Sequence, residues 1–283
     1  MNELIFNDVT LRDGLQNIGK FIRTEHKITL ANKIIDCGIR FLEITSFVHP
    51  VAVPQMRDAY ELATDTNLKN AYFGALVPNV KGYKRAVGTK IKEIVLFVSS
   101  CPFHNIKNLG QPIEDTLKEF EKIFQLNENK LFNIKPAISM VFGSPFTKKL
   151  PEGKNLFSII DFFLEKGIHE ITLCDTWGYS EKEYFERQLK RIKKHFSDTF
   201  FSLHLHNVKN RGIENLKIAL DNGITKIDTV FGVTGGCPFS PEAGVNLNIR
   251  DAIKIAENTG FQVTITESKL DNVENFLNIL LSR

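Results

Sequence analysis

The sequence predicts an α/β fold, a (β/α)8 barrel with an extra C-terminal helix, built as one domain over residues 1–283. Three observations point there. Eight short apolar runs recur about every thirty residues, the length of one strand–helix unit. The segments between them carry apolar side chains at helical spacing. No Gly-x-Gly-x-x-Gly follows the first run, as an open dinucleotide-binding sheet would have, and no Gly/Ser/Pro-rich linker divides the chain. A chain of 283 residues suits one such barrel, which commonly runs to about 250.

The first run covers residues 4–9 and leads into Thr10-Leu11-Arg12-Asp13-Gly14. Ile28, Ala31, Ile34 and Ile35 then lay an apolar stripe along a helix. Cys37-Gly38-Ile39 ends it, because glycine takes the left-handed conformation that closes a helix. The second run, 40–45, carries an acid, Glu43, among Phe41, Leu42 and Ile44. Runs at 71–77, 93–98 and 134–141 follow in step. Lys166-Gly167-Ile168 and Asn222-Gly223-Ile224 repeat the glycine stop before runs at 169–174 and 226–231. Ser180-Glu181-Lys182-Glu183 reads as a capping box, whose hydroxyl and carboxylate each satisfy a free N–H at a helix start. The seventh run, 200–206, holds two histidines, and the stretch 267–283 remains as the extra helix.

Composition narrows the function. With 36 basic and 33 acidic residues the net charge is +3, and no local basic cluster suggests nucleic acid. No apolar run approaches the ~18 residues that would span a bilayer, so no membrane is expected. The first residues lack a basic stretch followed by an apolar one, so no signal peptide is expected either. Cys37, Cys101, Cys174 and Cys237 are spaced too widely for Cys-x-x-Cys chemistry, and a reducing cytoplasm is the expected location. The 23 Phe suit packing between layers.

In such a barrel the chemistry belongs at the C-terminal ends of the strands, and the polar oddities fall there. On the seventh run Ser202, His204 and His206 share one face while Phe201, Leu203 and Leu205 share the other. Two imidazoles at i, i+2 suit a divalent metal, and suit equally two histidines hydrogen-bonded inside the barrel. Arg12-Asp13 supplies a guanidinium and an oxygen ligand, or a simple loop ion pair. Glu43 is too deep to stand without a cation or donor. Asp175 follows the sixth run, either in the site or as a cap. Cys237, within Gly235-Gly236-Cys237-Pro238-Phe239, is an acid–base candidate or a packing thiol, and Asn246 offers a neutral oxygen.

At these residues the sequence resembles the 3-hydroxy-3-methylglutaryl-CoA lyases of the metal-dependent lyase and synthase superfamily, which are built on TIM barrels. The resemblance rests on Arg12-Asp13-Gly14-Leu15-Gln16-Asn17, Glu43-Ile44-Thr45-Ser46-Phe47-Val48, Val53-Pro54-Gln55-Met56, Asp175-Thr176-Trp177-Gly178, His204-x-His206 and the Gly235–Phe239 stretch. It implies Mg2+ or Mn2+ held by Asp13, His204, His206 and Asn246. It implies catalytic roles for Arg12, Asp13, Glu43, Asp175 and Cys237, with Gln16 and Asp251 in support and Arg12 and Asn108 touching substrate. The implied reaction is retro-Claisen cleavage of an acyl-CoA thioester by a chain that admits a homodimer. Two alternatives stand beside it: a Claisen-type acyl-CoA synthase of the same superfamily, and a non-catalytic metal- or acyl-CoA-binding barrel. Departures occur at Asn207-Val208-Lys209-Asn210, at Cys101-Pro102 and after the fifth run, where a second cysteine is missing; they bear on the acyl group more than on the bond chemistry.

Overall fold

The computed structural model describes residues 3–146, 154–232, 234–236, 244–265 and 267–282. Eight parallel strands form the barrel: β1 Ile5–Asp8, β2 Phe41–Ser46, β3 Tyr72–Leu76, β4 Glu93–Ser99, β5 Asn133–Ser139, β6 Glu170–Asp175, β7 Phe200–Asn207 and β8 Lys226–Thr229. Each pairs with its neighbour in chain order, and β8 returns to pair with β1, with Ile5 opposite Lys226, so no edge is left open. All eight sit where the apolar runs predict them, with ends shifted by no more than two residues.

Helices α1 Thr24–Asp36, α2 Ala59–Thr64, α3 Val80–Ala86, α5 Ile113–Leu126, α6 Lys154–Glu165, α7 Lys182–His195, α8 Arg211–Asp221 and α9 Ile249–Asn258 follow the strands; a short α4, Pro102–Leu109, precedes α5. The expected extra helix is α10, Glu267–Leu281, which packs against α1. No helix among the described residues is long and apolar enough to cross a membrane. Gly38, Gly167 and Gly223 all have positive φ, as their helix-closing role requires. Phenylalanines seal the layer between strands and helices: Phe120, Phe142, Phe163 and Phe185 are fully buried, and the rings of Phe142 and Phe185 lie 4.3 Å apart.

The expected capping box is not formed. Helix α7 starts at Lys182, with Glu181 rather than Ser180 at the cap and no side-chain cap bond. Glu181 instead ion-pairs with Arg211 of α8, while the Ser180 carbonyl accepts from Asn215. The helix begins later than the motif requires, and the Ser180 hydroxyl stays buried without a partner among the described residues.

Strand alternation splits the barrel into two environments. Phe201, Leu203 and Leu205 face the outer core, as predicted, whereas the lumen carries Glu93, Lys135, Glu170, Lys226 and Asp228. Low in the lumen Lys226 Nζ lies 2.5 Å from Glu170, and Lys135 Nζ lies 3.5 Å from Glu93. The site stands above this charged floor.

Candidate functional site

After β1 the backbone winds through one π-helical turn, Thr10–Gly14, in which the N–H of Gly14 reaches back to the Val9 carbonyl at 3.1 Å. Such wide turns re-aim side chains, and this one turns Arg12 and Asp13 into the mouth of the barrel. Arg12 Nε donates to Glu43 Oε1 at 2.5 Å, and its Nη1 donates to Asp13 Oδ1 at 2.6 Å. Glu43, 2 % exposed on β2, thus has the cation its burial demanded. The Arg12–Asp13 ion pair exists, and it stands inside the cavity rather than on a surface loop. Burial opposes the guanidinium's charge, but Glu43 and Asp13 outweigh it and keep Arg12 protonated at any working pH.

His204 and His206 enter the same space from β7, with their Nε2 atoms 3.2 Å apart. His204 Nε2 also lies 3.8 Å from Asp13 Oδ2. One ligand atom from each of Asp13, His204 and His206 falls within 4.8 Å of the others, and all three residues are buried. The short strand β9, Val245–Asn246, runs antiparallel to β7 and sets Asn246 opposite His206. Its Nδ2 donates to Asp13 Oδ2, leaving a buried Oδ1 without a partner among the described residues. Two imidazoles, one carboxylate and an unused amide oxygen are a donor set suited to a divalent cation of the harder kind. Cys174 also lines the cavity, but burial raises its thiol well above the usual range, so no thiolate competes.

Electrostatics separates the members of the cluster. For Asp13 burial alone would raise the pKa, yet Arg12, His204 and the Asn246 amide more than compensate and hold it below the usual carboxylate range. His206 is pushed down to about 3 by burial and by His204, so its ring is neutral and ready to ligate. Burial also works against the His204 charge, but the Asp228 hydrogen bond and the Asp13 carboxylate raise it overall.

Asp228 of β8 and Lys135 of β5 are absent from the sequence expectations although both line the cavity. Each was visible as a charge at an inward strand position, as Glu43 was, although in β8 Lys226 shares that face with Asp228. Asp228 Oδ2 lies 3.1 Å from His204 Nδ1, and its Oδ1 accepts from Asn7 Nδ2 at 2.7 Å. Glu93 and Asp228 keep the buried Lys135 ammonium charged against desolvation.

The cavity encloses about 270 Å3. One side is the charged cluster; the other is apolar, with Leu76, Val95, Phe97, Ala137 and Leu109. Asn108, on α4, lines it as expected. Gln16 does too, donating to Asp13 Oδ1 at 2.5 Å, and Asn17 Nδ2 reaches the Gly236 carbonyl at 2.6 Å. Asp175 does not line the cavity. Its carboxylate accepts from the Gly178 N–H at 3.1 Å and shapes the turn after β6 that packs against His206, and burial raises it to about 7. Asp251 sits half-buried in the first turn of α9, with no hydrogen bond to its side chain among the described residues. Cys237 lies outside the described residues, as does the rest of its loop through residue 243.

Comparison with known proteins agrees with this geometry. A family model described as HMGL-like matches residues 3–277. Hydroxymethylglutaryl-CoA lyase YngG of Bacillus subtilis is 31% identical over 269 residues, 95% of this chain and 90% of that protein. The human mitochondrial hydroxymethylglutaryl-CoA lyase is 28% identical over 98% of this chain and 85% of its own length. An HMG-CoA lyase from Acinetobacter baumannii, solved in complex with coenzyme A and 3-methylmalate, superposes with a TM-score of 0.92 at 32% identity, covering 99% of this chain and 92% of that one.

Proposed function

The chain belongs to the HMGL-like family, and from that premise we propose that it is a divalent-metal-dependent carbon–carbon lyase. Its substrate is 3-hydroxy-3-methylglutaryl-CoA or a closely related 3-hydroxy-3-carboxyalkyl thioester. The observation that carries this reading is the meeting of Asp13, His204 and His206 beside the Arg12 guanidinium in one cavity. In this reading Asp13, His204, His206 and Asn246 hold Mg2+ or Mn2+. The oxygen-and-imidazole donor set supports such an ion. When bound, the cation supplies Lewis acidity to the substrate's oxygens.

The chain's own groups account for the remaining steps. The substrate hydroxyl loses its proton to a basic group, and the oxygen's electron pair forms the ketone of acetoacetate as the bond between carbons 2 and 3 breaks. That bond's electrons pass to carbon 2 and become the enolate of acetyl-CoA. Arg12, already ionised and braced by Glu43, donates hydrogen bonds to the thioester oxygen as it gains charge. A proton delivered to carbon 2 completes acetyl-CoA, and Cys237 is our candidate for handling it. Asp175 orders the turn after β6, beside His206, and acts through it. The thiols of Cys37, Cys101 and Cys174 are free, which fits a reducing compartment such as the cytoplasm.

The test is turnover of a panel of 3-hydroxy-3-carboxyalkyl thioesters by Mg2+- or Mn2+-loaded protein, with products identified by mass spectrometry and an EDTA control. Metal-dependent release of acetyl-CoA and a 3-keto acid is expected. A panel left intact removes the reading, and net condensation would move it to a synthase. With an active substrate in hand, Cys237→Ser should lower kcat steeply while Mn2+ affinity stays unchanged. Near-parental turnover would make Cys237 a packing residue, since the exchange nearly conserves volume.

A further inference from the structure

The two imidazoles of the cluster are held differently. His204 on β7 and Asp228 on β8 are register partners, so their side chains meet side by side in the lumen. The Asp228 carboxylate is 6 % exposed, and both its oxygens are engaged: Oδ2 with His204 Nδ1 at 3.1 Å, and Oδ1 with Asn7 Nδ2 at 2.7 Å. Asn7, on β1, is itself buried. A carboxylate gripped on one oxygen by an amide of the next strand cannot turn away from the ring that its other oxygen faces. An ionised carboxylate only accepts, so His204 Nδ1 must carry the proton. The lone pair then sits on Nε2, the atom that faces His206 Nε2 and Asp13 Oδ2.

We infer that Asp228, braced by Asn7, is a positioning residue that fixes His204 in the Nδ1–H form with Nε2 presented to the metal centre. The inference rests on the metal-site reading given above. Carboxylates placed behind ligating histidines do this work generally, and losing one typically weakens metal binding 10–100-fold.

The geometry makes an exacting test possible. In Asp228→Asn the new side chain has one acceptor oxygen for two donors. If it keeps the bond from Asn7, its amide N–H faces His204 Nδ1 and drives the proton to Nε2, where the lone pair is needed. Adding Asn7→Asp reverses the roles: the position-228 amide donates to the carboxylate on β1 and returns its oxygen to His204 Nδ1. Mn2+ affinity, read from the EPR signal of free Mn2+, should fall about 10–100-fold in Asp228→Asn and largely recover in the double variant. Circular dichroism and the urea midpoint check that each barrel is folded. A merely structural Asp228 predicts lost stability without this pattern. Parental Mn2+ affinity in folded Asp228→Asn overturns the role, and so does a folded double variant that binds as weakly as the single one. Should Asp228→Asn not fold, 15N NMR of the Mg2+-loaded parent decides: Nδ1–H on His204 is expected, and Nε2–H overturns the inference. A parent that binds no Mn2+ sinks the metal reading itself, and the inference with it, whereas the preceding outcomes sink only the role of Asp228.

Discussion

At the scale of single residues, charge placed against burial distinguishes the groups. Arg12 reaches Glu43 and Asp13 through a planar fork that lysine cannot reproduce. Arg12→Lys should therefore lower kcat by about 10²–10³-fold, the range for losing one donor to a developing oxyanion, while Mn2+ affinity changes little. Steady-state kinetics beside an EPR titration of Mn2+ checks both halves, and a normally active lysine variant would remove Arg12 from the chemistry. Asp8 behaves in the opposite way. It is fully buried, and desolvation raises it to about 7 despite two hydrogen bonds from Thr10. A carboxyl raised on folding stabilises the fold below its unfolded pKa of about 4 and loses that contribution as pH rises through about 7. Asp8→Asn mimics the protonated form at every pH. Its urea midpoint relative to the parent should thus shift in its favour between pH 4 and 7 and level off above; a flat difference would show that Asp8 does not titrate there.

At the scale of elements, the site depends on backbone that only a few residues tolerate. Gly235 has φ +90°, and a Cβ there would collide with the Asn246 amide and stand 3.3 Å from Asp13 Oδ2. Gly235→Ala should displace Asn246 and weaken Mn2+ binding by about tenfold or more, with a smaller loss of stability from the strained φ. Calorimetric titration of Mn2+ reads the first and a urea curve the second; unchanged affinity would mean that Asn246 takes no part in the centre. The elements also show which local signals are reliable. Glycine stops at Gly38, Gly167 and Gly223 hold because φ is a property of one residue. The Ser180–Glu183 capping box fails because α7 begins at Lys182, which puts Glu181 and not Ser180 at the cap position.

At the scale of the whole molecule, one barrel carries two cores: an apolar one between strands and helices, and a charged one in the lumen that ends at the candidate site. If a cation binds at Asp13, His204 and His206 it ties β1 to β7, far apart in the chain, and must stabilise the closed barrel by mass action. At a hundredfold excess over Kd, Mn2+ should add about 2.7 kcal/mol and raise Tm by several degrees, reversibly with EDTA. Differential scanning calorimetry checks this, and a Tm indifferent to Mn2+ would argue against a built metal site.

The eight strands, their inward faces and the acids and histidines at their ends were legible in the sequence because they rest on alternation and spacing, which are local. Even Asp228 and Lys135 carried the signal of a charge at an inward strand position, though nothing in their neighbourhood said what they would meet. That His204 faces Asp228 and not another group, that Glu43 takes Arg12, and that Asp175 turns to the Gly178 backbone instead of the cavity were decided only when the barrel closed. Alternation says which way a side chain points; strand order and register say what it points at, and those are set by contacts across the whole chain.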